Sequence, residues 1–131
     1  MRMPTEIQVL GWAIVLGIVQ LLLAAGAMTR QRGVKWNASA RDGQPAPLAG
    51  VAARLDRAMR NFLETFPFFA AAALAVVATD STSAASALGA QLYFWARLAY
   101  VPLYAFGVPY LRSLVWTVSL WGILQLLWAL F

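Results

Sequence analysis

The run IQVLGWAIVLGIVQLLLAAGAM, Ile7 to Met28, contains no charged residue, and Gln8 and Gln20 are its only strongly polar side chains. Its 22 residues reach about 33 Å as an α-helix at about 1.5 Å per residue, enough to cross the hydrocarbon of a bilayer. The rest of the chain follows the same chemistry. Of 131 residues 62% are hydrophobic and 11% are charged, against roughly 45–50% and a quarter in soluble domains. A chain this short has too little interior to hide that much apolar surface, so the expected solvent is lipid.

Working outward, residues Thr29 to about Val51 hold Arg30, Arg32, Gly33, Lys35, Asn37, Arg41, Asp42, Gly43, Pro45 and Pro47, which is turn and loop composition. A second helix is expected over about 52–79, polar in its first turns and apolar after Thr65. Asp80 to Ser86 reads as a loop. A third helix over about 87–106 is interrupted by Arg97 and loosened at Pro102. Gly107-Val-Pro109 makes a tight connection to a fourth helix over about 111–131. The expected fold is an all-α bundle of four transmembrane helices, with helix one over about 6–28 and residues 1–131 forming a single membrane domain. Glu6 stands where a signal peptide would be basic and the apolar run is too long for one, so helix one is expected to stay in the mature chain.

The net charge of +5 would suggest nucleic acid in a soluble domain, but the basic residues flank apolar segments and do not form a solvated stripe, so no nucleic-acid partner is expected. With no cysteine and no histidine the chain lacks a thiolate nucleophile and the best transition-metal ligands, and no metal site is expected. Seven of the ten Lys and Arg residues fall in the first connection and the start of helix two, and none in the Asp80–Ser86 loop. The positive-inside rule then puts the first connection in the cytosol and both termini on the opposite side.

On helix two Arg54, Arg57, Asn61 and Glu64 are spaced by three, four and three, which stacks them on one face, with Arg60 one position aside. Arg97, Tyr100 and Tyr104 repeat the spacing on helix three, and Arg112 and Ser113 open helix four at the same depth. A single arginine near a helix end snorkels to headgroups or binds anionic lipid about as often as it serves a site. Arg97 lies about ten residues from either end of its span, where an unpaired charge costs on the order of 3 kcal/mol, so it is expected to face the interior and a partner. Glu64 is taken as the counter-ion to Arg57 or Arg97. One carboxylate cannot balance five guanidinium groups, and the surplus calls for an anionic ligand whose carboxylates fit the guanidinium fork. Asn61, Tyr100, Tyr104 and Ser113 supply neutral hydrogen-bonding groups. Trp12, Trp95, Trp121 and Trp128 read as interfacial belt and packing residues.

The segment Arg54-Leu-Asp-Arg-Ala-Met-Arg-Asn-Phe-Leu-Glu-Thr-Phe-Pro-Phe-Phe69, together with Arg97-Leu-Ala-Tyr-Val-Pro-Leu-Tyr104 and Arg112-Ser113, resembles the signature of the MAPEG family, the membrane-associated proteins of eicosanoid and glutathione metabolism, in a bacterial-type form. The resemblance covers essentially the whole chain. It implies a homotrimer binding glutathione between subunits near the cytosolic face, in the inner (plasma) membrane if the source is bacterial. Carried over by position, Arg60, Asn61 and Glu64 hold glutathione, Arg97, Tyr100 and Tyr104 complete the pocket, and Arg30 reaches a neighbouring subunit's ligand. Arg57 is either structural or a ligand residue. Arg112 corresponds to an arginine beside the glutathione sulfur, where a fixed cation would lower the thiol pKa from about 8.5. Ser113 donates a hydrogen bond to that sulfur or a substrate oxygen, or else caps its helix.

Trp116 stands where eicosanoid-synthesising relatives carry tyrosine, and Met59 and Tyr100 where some carry histidine. The implied function is a glutathione transferase or peroxidase acting on lipophilic electrophiles or hydroperoxides. The alternatives are a non-catalytic member binding a lipid headgroup or small anion, and a small multidrug exporter. The last is disfavoured because helix one has no acid in its interior and Glu64 is surrounded by arginines that would repel cationic drugs.

Overall fold

The computed structural model describes residues 2–131. Its five helices are α1 (Thr5–Arg32), α2 (Val34–Ala38), α3 (Gly50–Ala78), α4 (Ala84–Ala105) and α5 (Pro109–Trp128), with no strand among the described residues. The four long helices correspond to the expected spans. α1 runs to Arg32 instead of stopping near Met28. The Thr29 hydroxyl donates to the Ala25 carbonyl at 2.8 Å, and Arg30 and Arg32 sit favourably at the negative end of the helix dipole. Gly33, at φ +93°, then turns the chain. The five-residue α2 lies inside what sequence reasoning gave as loop.

α4 begins three residues earlier than expected because of a capping box. The Ser86 backbone N–H donates to Ser83 Oγ at 3.1 Å and the Ser83 N–H donates to Ser86 Oγ at 2.7 Å, satisfying two otherwise orphaned donors. α5 starts two residues earlier, with Pro109 in its first turn, where a missing N–H costs nothing.

α1 packs against α3, and α4 lies along α5 while also touching α1 and α3. The interior is built from Ala13, Ala73, Val76 and Ala90 around an aromatic stack in which the Phe69 and Tyr93 rings lie 4.1 Å apart. Tyr93 Oη and Thr65 Oγ1 share a hydrogen bond of 3.0 Å. α4 and α5 approach so closely that a Cβ on Gly122 would lie 2.5 Å from the Gly89 carbonyl oxygen.

Polarity is distributed inside out. Glu6, Gln20, Thr65, Ser86, Arg97 and Ser119 are buried, whereas Trp12, Ile18, Leu22, Phe68, Leu74 and Trp121 face outward. Water would drive the apolar set inward; hydrocarbon leaves no such drive and penalises the polar set instead. α1, α3 and α5 are each long and apolar enough to cross a membrane. α4 has 22 residues, a comparable length, but Gln91 and Arg97 dilute its apolar character.

Glu6, only 2% exposed, accepts a short hydrogen bond from the Ser86 hydroxyl and so ties the start of α1 to the start of α4. From the sequence Glu6 speaks only against a signal peptide, because its partner lies 80 residues away. Ser86→Ala strips the carboxylate of its donor and breaks the capping box at once. The expected destabilisation is about 2 kcal/mol by thermal unfolding in detergent, with a smaller loss for Glu6→Gln, which retains the accepting oxygen.

Candidate functional site

Three helices bring their polar faces together at the end of the bundle where α3 begins. Arg54 and Arg57 lie on its first turns, Tyr104 on the last turn of α4 and Arg112 on the first turn of α5. The Arg57 Nε donates to Tyr104 Oη at 3.0 Å, and the Arg112 guanidinium carbon sits 4.6 Å from the centre of the Tyr104 ring. A cation over an aromatic face is held by the ring quadrupole, so Tyr104 holds Arg57 by its hydroxyl and Arg112 by its ring. Arg54 Nη1 donates to the Ala105 carbonyl at 3.2 Å, capping the end of α4. Gly107, at φ +71°, makes this turn in the left-handed region that favours glycine. These residues, with Val108 and Pro109, line a cavity of about 200 Å³.

About two turns before Tyr104 on α4, Arg97 is 1% exposed. Its Nη1 donates to Asn61 Oδ1 at 2.8 Å, and its guanidinium carbon stacks 4.3 Å from the Tyr100 ring centre and 5.8 Å from that of Phe62. Its Nε and Nη2 are buried with no partner. The Tyr100 and Tyr104 rings, 5.5 Å apart, join the two groups of residues.

Of the residues the sequence pointed to, Arg57, Asn61, Arg97, Tyr100, Tyr104 and Arg112 therefore come together within one chain. Arg60 does not join them. It is 71% exposed and pairs with Asp56 at 3.0 Å, the i,i+4 acid that the expected charge balance overlooked. That is the only ion pair among the described residues. Glu64 is thus not bridged to Arg57 or Arg97, and Arg97 finds Asn61 as its partner instead. Glu64 is exposed, as are Arg30 and Ser113. The Ser113 carbonyl accepts from the Thr117 hydroxyl at 3.0 Å, ordinary helix back-bonding that gives its own hydroxyl no assigned partner.

A groove of about 680 Å³, whose lining residues could not be picked out from the sequence, lies between α3 and α5, lined by Glu64, Thr65, Phe68, Ala71, Ala72, Ala75, Trp116, Leu120, Ile123, Leu124, Leu127 and Leu130. Its signal, small Ala71, Ala72 and Ala75 opposite large Leu120, Leu124 and Leu127, is indistinguishable in one dimension from helix packing. Trp116 stands one turn beyond Arg112, so the groove opens beside the basic cavity.

A family model, MAPEG family, matches residues 9–131. The chain belongs to the MAPEG family. No curated protein matches it. MAPEG membership and the three apolar helices make it an all-α integral membrane protein of a family concerned with glutathione and eicosanoid metabolism. Within that MAPEG fold, guanidinium groups without acids converge beside an apolar groove, an arrangement that can hold an anion at one end and an apolar body at the other.

Proposed function

We propose that this protein binds glutathione and acts as a glutathione-dependent transferase or peroxidase on lipophilic electrophiles or hydroperoxides. The observation that carries the proposal is the meeting of Arg57, Arg97 and Arg112 around Tyr100 and Tyr104 with no acid paired to any of them. Two unsatisfied buried donors on Arg97 and the acid-free guanidiniums fit the carboxylates of glutathione. Bound glutathione would supply the thiol. Arg112 would favour its ionised form as a fixed cation, Asn61 would hold Arg97 in register, and Glu64 at the groove mouth would suit an ammonium group. Arg57 fits a dual part, held by Tyr104 while its other donors face the cavity. Arg60 and Ser113 remain candidates through their position in the family pattern.

A cavity of about 200 Å³ falls below the roughly 300–1,000 Å³ of small-ligand sites. This favours a site completed by a neighbouring subunit, with Arg30 reaching across in a homotrimer. The apolar groove would admit the second substrate from the bilayer. Its α5 face of Trp116 and leucines has no hydroxyl, and the one hydroxyl on its α3 side, that of Thr65, is already bonded to the Phe62 carbonyl and Tyr93 Oη, so neither favours selection of an oxygenated eicosanoid. Positive-inside charge supports a cytosolic site, with both termini opposite and the plasma membrane as location in a bacterial cell.

The small cavity also favours a second possibility, a non-catalytic member holding one headgroup or small anion. Thiolate absorbance on adding glutathione to purified protein separates them. The wild type is expected to develop the signal, and Arg112→Ala to retain binding while losing most of it. Absence of glutathione binding by the wild type would defeat the proposal, and binding without turnover across electrophiles and peroxides would favour the non-catalytic reading.

A further inference from the structure

The connection after α1 is not a slack loop. Asn37 Nδ2 donates to Thr29 Oγ1 at 2.9 Å, folding α2 back onto the last turn of α1. The returning chain is tied to the same turn. Gln31 Nε2 donates to the Ala49 carbonyl at 2.8 Å and Gln31 Oε1 accepts from the Ala49 N–H at 3.2 Å, while Arg32 donates through Nε and Nη2 to the Ala46 carbonyl at 3.3 and 3.2 Å. α2 is therefore held at the level where α1 ends, which is where an apolar helix leaves the hydrocarbon.

Two guanidinium groups are gathered there around one indole. The guanidinium carbons of Arg32 and Arg41 lie 5.0 and 5.4 Å from the Trp36 ring centre, and Lys35 is its exposed neighbour. Arg41 is steadied by Asn37, whose backbone carbonyl accepts from Nε at 3.1 Å and whose side-chain oxygen accepts a short bond from Nη2. Neither guanidinium has an acceptor for Nη1 or an ion pair among the described residues. Val34, 72% exposed, adds an apolar contact on the same short helix. Preformed guanidinium donors, an interfacial tryptophan and an outward valine together match a surface of phosphate above hydrocarbon.

We propose that Arg32, Lys35, Trp36 and Arg41 form a docking surface for the phosphate groups of anionic phospholipid in the leaflet where α1 ends. It is separate from the basic cavity, and it does not require glutathione binding. Charge complementarity selects the partner, since four basic residues lie between Arg30 and Arg41 and no acid occurs until Asp42. The chain's own bilayer supplies the ligand at high local concentration.

The absence of native cysteine makes Val34→Cys a unique labelling site for an environment-sensitive fluorophore. In nanodiscs, emission from that label is expected to shift to the blue when phosphatidylglycerol is mixed into phosphatidylcholine, and to shift back on raising salt. Lys35→Gln with Arg41→Gln should raise the phosphatidylglycerol fraction needed for half the shift roughly thirtyfold or beyond reach. Neither substitution removes a contact to the bundle, and unchanged circular dichroism would verify that. Arg32→Lys, which retains charge, should keep a reduced response. Emission indifferent to lipid charge, or a response undiminished in the double variant, would overturn the proposal. So would the same shift produced by inorganic phosphate over phosphatidylcholine alone, since the ligand would then be the free ion.

Discussion

Gly122→Leu is expected to yield no folded protein. The Cβ alone would sit 2.5 Å from the Gly89 carbonyl oxygen and 2.8 Å from the Tyr93 nitrogen, both backbone atoms that cannot turn aside. Even Gly122→Ala must therefore push α4 and α5 apart. Ordinary overpacking costs about 1–3 kcal/mol, and a clash with two main-chain atoms of α4 belongs at or above the top of that range. Between membrane helices the loss is compounded, because close approach of small residues is itself a main source of attraction. Gly11→Leu is the matched control, since a Cβ there meets nothing within 4 Å. Yield and thermal midpoint in detergent decide the matter; near-wild-type behaviour of Gly122→Leu would mean that α4 and α5 do not cross at these glycines.

Arg97→Met separates stability from binding. The wild-type side chain is buried with one hydrogen bond, to Asn61, and two unpartnered donor positions. A charge near mid-membrane costs on the order of 3 kcal/mol. The bond to Asn61 and the ring contacts return about 2 kcal/mol or more, while the two idle donors add their own desolvation penalty. Methionine fills comparable space without charge, so the free protein should gain about 1–2 kcal/mol. Glutathione affinity should fall about a hundredfold, the usual scale for truncating one partner of a buried charged contact. Arg97→Lys, lacking the fork and the flat face that rests on Tyr100, should recover only part of the binding. A lowered thermal midpoint for Arg97→Met, with binding intact, would make Arg97 a strut of the bundle and remove it from the site.

The helix faces of the site were legible because spacing alone decides them. Arg57 and Asn61 are four apart, as are Tyr100 and Tyr104, and a 3.6-residue period must bring such pairs to one side. Partners were less legible. Arg97 was expected to meet a carboxylate and met Asn61, since which side chain lies opposite depends on how far α3 slides along α4. The capture of Arg60 by Asp56 follows the i,i+4 rule and is legible from spacing alone. The capping box at Ser83 and Ser86 is likewise local, two serines three apart inside the stretch whose composition reads as loop.

By itself the sequence determined that this chain lives in lipid, that four long helices carry it, and that arginines outnumber acids on faces which helical periodicity fixes. Those conclusions need only local properties: length, hydropathy and spacing along one helix. The tertiary structure alone decided that Glu6 is locked to Ser86, that Arg97 keeps two donors free, that α4 and α5 touch through glycine, and that an apolar groove opens beside the basic cavity. Each of these depends on the register and separation of two helices, which are set by the packing of many side chains at once and are written in no single segment.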